Sequence, residues 1–330
     1  MLEHCHEMAE KFTELINRHD FFILTTHDTA DADGIGAQLA LACILKEKGK
    51  QFRIINASPM PGQFRFMDPL GQVEAWNREQ HEALPGQGAM IIMDTAEENN
   101  IGIMREACRQ AREVFVIDHH EISPIAAFDG IYDPVSSATC ELAVELAGAL
   151  GVTFDPGTAF AAYIGLVYDN GFFGYPKTGP RAFGAAQTLL EQGADPSEAF
   201  IQLCQNGPNR ALLLQKKALA GMVFHYGNRI AVQALREEDF IETGAFSEDT
   251  DGFVNFPLRS RDVIVSFFAK EMPDKKVRCS LRSKGKINVA KIAQEFGGGG
   301  HPNAAGFRSD LDMDQTLAQA LAKIIAYMER

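Results

Sequence analysis

Positive charge is scarce in this chain: 31 lysines and arginines stand against 44 aspartates and glutamates, giving a formal net charge of −13 over 330 residues. A surface of that sign repels a long polyanion unless a local basic groove or bound cations reverse the field. The balance therefore favours a small phosphorylated ligand over a stable duplex DNA complex. Paired cysteines are missing too, since Cys5, Cys43, Cys108, Cys140, Cys204 and Cys279 are scattered without a CxxC. That argues against a disulfide framework and a cysteine zinc site, and it fits a reducing compartment. No run is long enough and free enough of charge to span a bilayer, and the opening MLEHCHEMAEKF has neither the basic region nor the apolar core of a secretion signal. The expectation is a cytoplasmic protein without a membrane partner. Repeats and low-complexity tracts are absent as well; the nearest approach is the glycine run 297–300.

What is present is ordinary for a globular protein: 46% apolar and 23% charged residues, in a length that suits one large or two modest domains. The segment 2–18 has the mixed apolar spacing of an amphipathic helix, and FFILTT (21–26) is a short apolar run that reads as a buried strand. A loop HDTADADGIG and a helix from about Gly36 to Lys48 follow. QFRIIN, AMIIMD and EVFVID read as further strands, with IGIMREACRQA as a helix between the last two. Strands alternating with helices of this length predict an α/β fold, with a mostly parallel sheet covered by helices on both faces. Helical patterns then continue to Phe224, the last of them spanning 209–224. The texture changes near His225, where RIAVQAL, DVIVSFFAK and VRCSLRS are strand-like and INVAKIAQEF and DQTLAQALAKIIAYM helical. This predicts an N-terminal domain over 1–190, a helical linker over 191–224 and a smaller α/β domain over 225–330.

In a parallel sheet, ligands bind beyond the carboxyl ends of the strands. His27, Asp31 and Asp33 follow the first strand, Asp94 ends another, and Asp118, His119 and His120 end a third. Taken alone, HDTADADGIG reads equally well as a loop with helix-capping aspartates. Repeated carboxylates and imidazoles at buried strand ends, however, have little packing rationale. Closely packed carboxylates repel, and divalent cations remove that cost. Asp169, in YIGLVYDNGFFG, reads by itself as a helix-ending aspartate and gains meaning only from the others.

These motifs resemble those of the DHH phosphoesterase family, specifically its branch of oligoribonucleases and 3'-phosphoadenosine 5'-phosphate phosphatases. The first motif matches His27, Asp31, Asp33 and Gly36, the second Asp94, the third Asp118-His119-His120, and the fourth Asp169 and Gly171. The C-terminal part resembles the DHH-associated substrate-binding domain, with its glycine-rich motif at Gly297–His301. The resemblance implies two manganese ions, with magnesium also compatible. His27 and Asp31 would hold one, Asp33, His119 and Asp169 the other, and Asp94 both. Asp118 would orient ligands from outside, and His120 would lie near the transferred phosphoryl group. The chain departs from the family pattern at Thr29, Ala30, Ala37 and Asn170, none of which replaces an expected ligand.

In the C-terminal domain, Arg278 and Arg282 offer paired donors to phosphate, and Gly298, Gly299 and Gly300 could aim backbone N–H groups at the same anion beside His301. A strand arginine facing solvent and a plain glycine hinge are equally consistent with the residues alone. Asn288 reads as a helix cap, and Phe256 and Phe307 as core. The residues alone supply only metal-assisted phosphoryl hydrolysis; the resemblance implies Asp94, Asp118 and His120 as the catalytic set. The resemblance supplies the substrates: short oligoribonucleotides, small dinucleotides and 3'-phosphoadenosine 5'-phosphate. An inorganic polyphosphatase or pyrophosphatase, or a non-catalytic nucleotide sensor, are the competing expectations. A homodimer is compatible with the sequence.

Overall fold

A computed structural model describes residues 2–120 and 128–329, except for the side chains of Leu2, Glu3, Pro85 and His301. It divides into two compact units, Met1–Gln205 and Asn206–Arg330. Among the described residues no helix is long and apolar enough to cross a membrane.

The first unit is built on six strands: β1 (Phe21–Thr25), β2 (Gln51–Asn56), β3 (Val73–Ala75), β4 (Ala89–Met93), β5 (Glu113–Asp118) and β6 (Asp129–Tyr132). They pair in the order β3-β2-β1-β4-β5-β6, all parallel. Among the described residues the α-helices that accompany them are α1 (Leu2–Arg18), α2 (Ala32–Glu47), α3 (Arg78–His81), α4 (Met104–Gln110), α5 (Thr139–Ala149), α6 (Pro156–Asp169), α7 (Pro180–Glu191) and α8 (Pro196–Phe200). Successive strand residues point to opposite faces. Phe22 and Leu24 join the large core with Ile35 and Leu41 of α2, while Ile23 joins Met90, Ile92 and Val116 beneath Met104 of α4. The strands are apolar on both faces because both faces are covered. The sequence pattern missed β3 and β6, which are the two edges of the sheet; edge strands are kept short and carry a weak apolar signal.

The order of strands reverses between β1 and β4, so the crevice for a ligand opens beyond their carboxyl ends. The helix entering that crevice, α2, starts four residues before the expected Gly36. Asp31 caps it, its Oδ1 accepting from the backbone N–H of Asp33 (3.0 Å) and Gly34 (3.1 Å). Gly36 is required by contact: a Cβ there would stand 2.6 Å from the Ala161 carbonyl oxygen of α6 and 2.9 Å from Cys140 Sγ of α5.

The second unit has strands β7 (Val223–His225), β8 (Ile230–Leu235), β9 (Val265–Glu271), β10 (Val277–Ser283), β11 (Gly299–His301) and β12 (Ala304–Ser309). Their order is β11-β12-β10-β9-β8-β7, antiparallel except for the parallel β8/β9 pair. Helices α9 (Asn209–Ala220), α10 (Glu237–Thr243), α11 (Val289–Gln294) and α12 (Met313–Met328) complete it. Phe267, Cys279, Leu281 and Phe307 face α11 and α12, whereas Leu235 and Phe268 on the other face meet Leu214 and Ala218 of α9. The stretch expected as a helical linker, 191–224, contains the division after Gln205, with α8 in the first unit and α9 in the second. The helix expected over 209–224 ends at Ala220, because Val223–His225 gains more by pairing with β8.

Replacing Gly36 with alanine tests the close approach of α2. Intrinsic propensity alone would make this change stabilising by about 1 kcal/mol, whereas overpacking against a backbone carbonyl costs about 1–3 kcal/mol. The single tryptophan, Trp76, lies in the first unit, so its fluorescence follows that unit in urea. The Gly36→Ala midpoint should fall; a midpoint equal to or above that of the natural chain contradicts the packing described.

Candidate metal centre

Three loops at the carboxyl end of the sheet deliver the site. His27 follows β1, Asp94 follows β4, and His119 and His120 follow β5. The first turn of α2 brings Asp33, its N-cap brings Asp31, and the last residue of α6 is Asp169. His27 Nε2 lies 3.5 Å from Asp94 Oδ2 and 3.7 Å from Asp31 Oδ1. His119 Nε2 lies 3.5 Å from Asp94 Oδ1, 3.3 Å from Asp169 Oδ2 and 4.0 Å from Asp33 Oδ2. Two groups with metal-ligand spacing result, His27-Asp31-Asp94 and Asp33-His119-Asp169, and a third, Asp94-His119-His120, shares Asp94 with the first and His119 with the second.

The backbone at Asp94 has φ 62°. Few non-glycine residues adopt this region, and such strain concentrates where a side chain must be aimed. The Asp94 N–H donates to Ile117 O (2.9 Å), so the turn stays tied to β5. Beyond Asp169, Gly171, Phe172 and Phe173 have φ of 60°, 52° and 64°. Asn170, which stands where the family pattern has threonine, accepts from the Phe173 N–H at 2.8 Å and braces this turn.

Several contributors had no signature in the sequence. The N-terminus of α5 directs two backbone N–H groups at the fully buried Asp33, from Thr139 to Oδ2 (2.6 Å) and from Cys140 to Oδ1 (2.8 Å). The Thr139 hydroxyl donates to Asp94 Oδ1 (2.9 Å). His119 Nδ1 lies 3.3 Å from the Ser136 carbonyl, which sets the ring so that Nε2 faces the carboxylates. Lys177 Nζ donates to His119 O at 3.1 Å. Asp118, expected to orient ligands, places Oδ1 2.7 Å from His120 Nδ1 and accepts the His120 backbone N–H (3.1 Å).

Protonation follows from this crowding. Burial, then the charges of Asp94 and Asp31, push Asp169 up to about 8. Burial and the same kind of neighbours raise Asp33. Burial works against ionised Asp94 as well, but the bond to His27 and the charges of His119, His120 and His27 outweigh it and bring Asp94 down to about 2. His27 is opposed by burial yet raised to about 10 by Asp31 and Asp94, and His120 is raised to about 9 chiefly by Asp118. His119 is lowered, by burial first and by His120 and Lys177.

The donor set fits divalent cations. His119 Nε2 is buried and has no hydrogen-bond partner among the described residues, although three carboxylates surround it. A cation between them would satisfy that lone pair and the carboxylates together, and the mixture of imidazole and carboxylate suits a borderline or hard divalent ion.

Of the residues singled out in the second unit, Arg282 is half-buried on β10, donating to Leu281 O at 3.1 Å, and Arg278 is exposed on the same strand. Gly298 follows the turn at Gly297, and Gly299 and Gly300 form the edge strand β11 against Gly306 and Ala305, so the glycine run is paired backbone and not a free loop. The His301 side chain lies outside the described residues. Asn288 caps α11 through Lys291 N (3.2 Å), and Phe307 is core, stacked on Phe296. Phe256 is half-buried beneath the Arg259 guanidinium.

The DHH family N-terminal domain matches residues 22–166 and the DHHA1 domain residues 227–330. The bifunctional oligoribonuclease and PAP phosphatase NrnA of Thermus thermophilus is 30% identical over 308 residues, covering 91% of this chain and 88% of that protein. The cyclic-di-AMP phosphodiesterase GdpP of Geobacillus thermodenitrificans is 27% identical over 98% of this chain, which spans about half (50%) of that longer protein. A crystal structure of an exopolyphosphatase-related protein from Bacteroides fragilis superposes with a TM-score of 0.91 at 25% identity, covering 97% of this chain and 96% of that one. The exonuclease RecJ bound to manganese shares the fold, with a TM-score of 0.54 at 17% identity. The chain belongs to the DHH phosphoesterase family, with a DHHA1 domain following the DHH domain.

The metal-free protein should lose stability as pH rises. Asp169 moves from 3.8 to about 8, His27 from 6.5 to about 10 and His120 from 6.5 to about 9, so the folded chain holds more protons than the unfolded one between pH 6.5 and 8. Melting followed by Trp76 fluorescence in chelator should shift to lower temperature across that window, and saturating divalent ion should remove the shift. A chelated protein equally stable at both ends contradicts the crowding described.

Proposed function

We propose that this chain hydrolyses short oligoribonucleotides or small dinucleotides at the phosphodiester, and 3'-phosphoadenosine 5'-phosphate at its monoester, using a pair of divalent cations with manganese preferred. The observation that carries this reading is that Asp94 stands in one ligand group with His27 and Asp31 and in another with His119 and His120, in a chain 30% identical to an oligoribonuclease and PAP phosphatase along most of its length. His27 and Asp31 would hold one ion, Asp33, His119 and Asp169 the other, and Asp94 both. Ions bound there supply positive charge for the phosphoryl oxygens and lower the pKa of the attacking water.

The chain's own groups supply the rest. Asp33 is fixed by two N–H bonds and Asp94 by the Thr139 hydroxyl, so neither carboxylate must reorganise when substrate arrives. His120 is held by Asp118 and stays protonated near neutral pH, placing a charged donor beside the phosphoryl group. As water adds to phosphorus and the P–O ester bond breaks, that proton serves the departing oxygen. In the second unit, Arg282, the backbone of Gly298, Gly299 and Gly300, and His301 are the proposed contacts to a second phosphate of the substrate.

Inorganic polyphosphate or pyrophosphate is the second reading, favoured by the likeness to the exopolyphosphatase-related structure. Turnover of a ribodinucleotide, a pentaribonucleotide, 3'-phosphoadenosine 5'-phosphate and pyrophosphate, each with manganese and with magnesium, separates the two. The nucleotide reading expects the first three to turn over and pyrophosphate to lag. Asp94→Asn should keep the native circular dichroism spectrum and lose about three orders of magnitude in turnover, the equivalent of several kcal/mol of transition-state stabilisation. Near-normal turnover by a folded Asp94→Asn variant would refute the assignment.

A further inference from the structure

The segment from Asp133 to Cys140 touches three of the expected metal ligands at once. The Ser136 carbonyl sets the His119 ring, the Thr139 and Cys140 N–H groups hold Asp33, and the Thr139 hydroxyl holds Asp94. The position of this backbone therefore decides where Asp33 and His119 stand. Helix α5, which begins inside the segment, has no cap of its own: Ala138 occupies the N-cap position without a side-chain bond. The first N–H groups of α5 meet Asp33 instead. Helix start and ligand fix each other, and a further contact must fix the pair.

Arg181, in the first turn of α7, holds both ends of the segment. Its Nη1 donates to Asp133 Oδ2 at 2.6 Å, and its Nε and Nη2 donate to Glu145 Oε1 (2.7 Å) and Oε2 (2.5 Å). Nε also lies 3.4 Å from Glu141 Oε1. Asp133 begins the segment. Its N–H donates to Asp118 O (3.0 Å), its Oδ1 accepts from the Val135 N–H (3.0 Å) and its carbonyl accepts from the Ser136 N–H (3.0 Å). Glu141 follows Cys140 in the first turn of α5 and reaches back, its Oε2 accepting from the Ser137 N–H (3.1 Å) and hydroxyl (2.7 Å). Both Asp133 and Glu141 are buried. Three carboxylates exceed the charge of one guanidinium, but only a planar fork with five donors meets three partners in fixed directions. Buried ion pairs are often no more stabilising than apolar groups of the same volume, whereas they fix directions that apolar contacts leave free.

We infer that Arg181 is a positioning residue for one of the two ions: through Asp133 and Glu141 it fixes the segment that presents Asp33 and His119, and so sets the affinity of the ion held by Asp33, His119 and Asp169. The inference rests on the two-ion reading and goes beyond it by separating the ions. The bonds from 133–140 reach Asp94 at Oδ1, which lies 3.5 Å from His119 Nε2, whereas His27 Nε2 faces Asp94 Oδ2 at 3.5 Å. None of the bonds named reaches His27 or Asp31. Loss of Arg181 is therefore felt by one ion and not by the other.

The test is manganese binding to the full-length chain, stripped with chelator and titrated without substrate, with the free ion read by electron paramagnetic resonance. His27→Ala disables one ion position and Asp169→Asn the other, so each background reports a single ion. Adding Arg181→Met should weaken the ion left in the His27→Ala background by about tenfold to a hundredfold, the usual effect of losing a group that orients ligands from outside. In the Asp169→Asn background the same change should shift affinity by no more than about twofold, as for independent sites. Arg181→Lys keeps the charge and loses the fork; it should show the same selectivity with a smaller loss, and it carries the test if the methionine variant lacks the native circular dichroism spectrum. Arg53→Met breaks the ion pair with Glu74 between β2 and β3, at the edge of the sheet away from β6, and should alter neither affinity. Folded Arg181 variants in which both ions bind as before, or in which both weaken alike, overturn the positioning role, as does an equal loss in Arg53→Met. If the natural chain binds two ions in those cases, the two-ion reading stands and only the inference falls. A natural chain that takes up fewer than two manganese ions overturns the two-ion reading and the inference with it.

Discussion

Mutual repulsion among Asp31, Asp33, Asp94 and Asp169 is the constraint around which the first unit is arranged. Four carboxylates converge at the mouth of a parallel sheet, two of them almost fully removed from water. Such a cluster is tolerable only where positive or partly positive groups meet it. The fold brings three kinds: imidazoles from His27, His119 and His120, backbone N–H groups from the first turn of α5, and room for cations between the side chains. Protons can stand in for the last of these, which is why the carboxylate and imidazole pKa values are displaced as they are.

The sheet topology turns this constraint into a site. Because the strand order reverses between β1 and β4, the loops after these strands diverge and leave a crevice, with β5 supplying its far wall. Fine aiming is then done by unusual backbone. Asp94 takes a left-handed conformation at the end of a buried strand, and the turn after Asp169 strings three such residues together. This strain is held by packing and hydrogen bonds around it, notably the Asn170 and Ile117 contacts. Gly36 and Cys140 make the same point from the packing side. The helix that carries Asp33 approaches α5 and α6 so closely that the Cys140 sulfur fills the space a Cβ would need.

The strand ends were legible because their chemistry contradicts their surroundings: an apolar run that stops at aspartate or histidine is conspicuous at β1, β4 and β5. The α/β class was legible from the alternation of such runs with helical periods. Other parts were hidden for physical reasons. The support for Asp33 comes from backbone N–H groups, which every residue but proline possesses, so nothing in SSATCELA marks them. Ser136 acts through its carbonyl, and Lys177 touches the site through the backbone of His119. The early start of α2 was hidden by two glycines that read as loop but serve close packing, and the edge strands β3 and β6 were too short to leave a period. Aspartates at helix starts are often caps, and Asp31 does cap α2; it also faces His27, so capping and the site are served by one carboxylate.

The account stands on cations sharing Asp94. Crystals grown or soaked with manganese and measured at an anomalous wavelength test this directly. The account predicts two anomalous peaks in the first unit, one beside His27 and Asp31 and one beside Asp33, His119 and Asp169, both in contact with the Asp94 carboxylate. A single peak away from Asp94, or none at full manganese saturation, would contradict it.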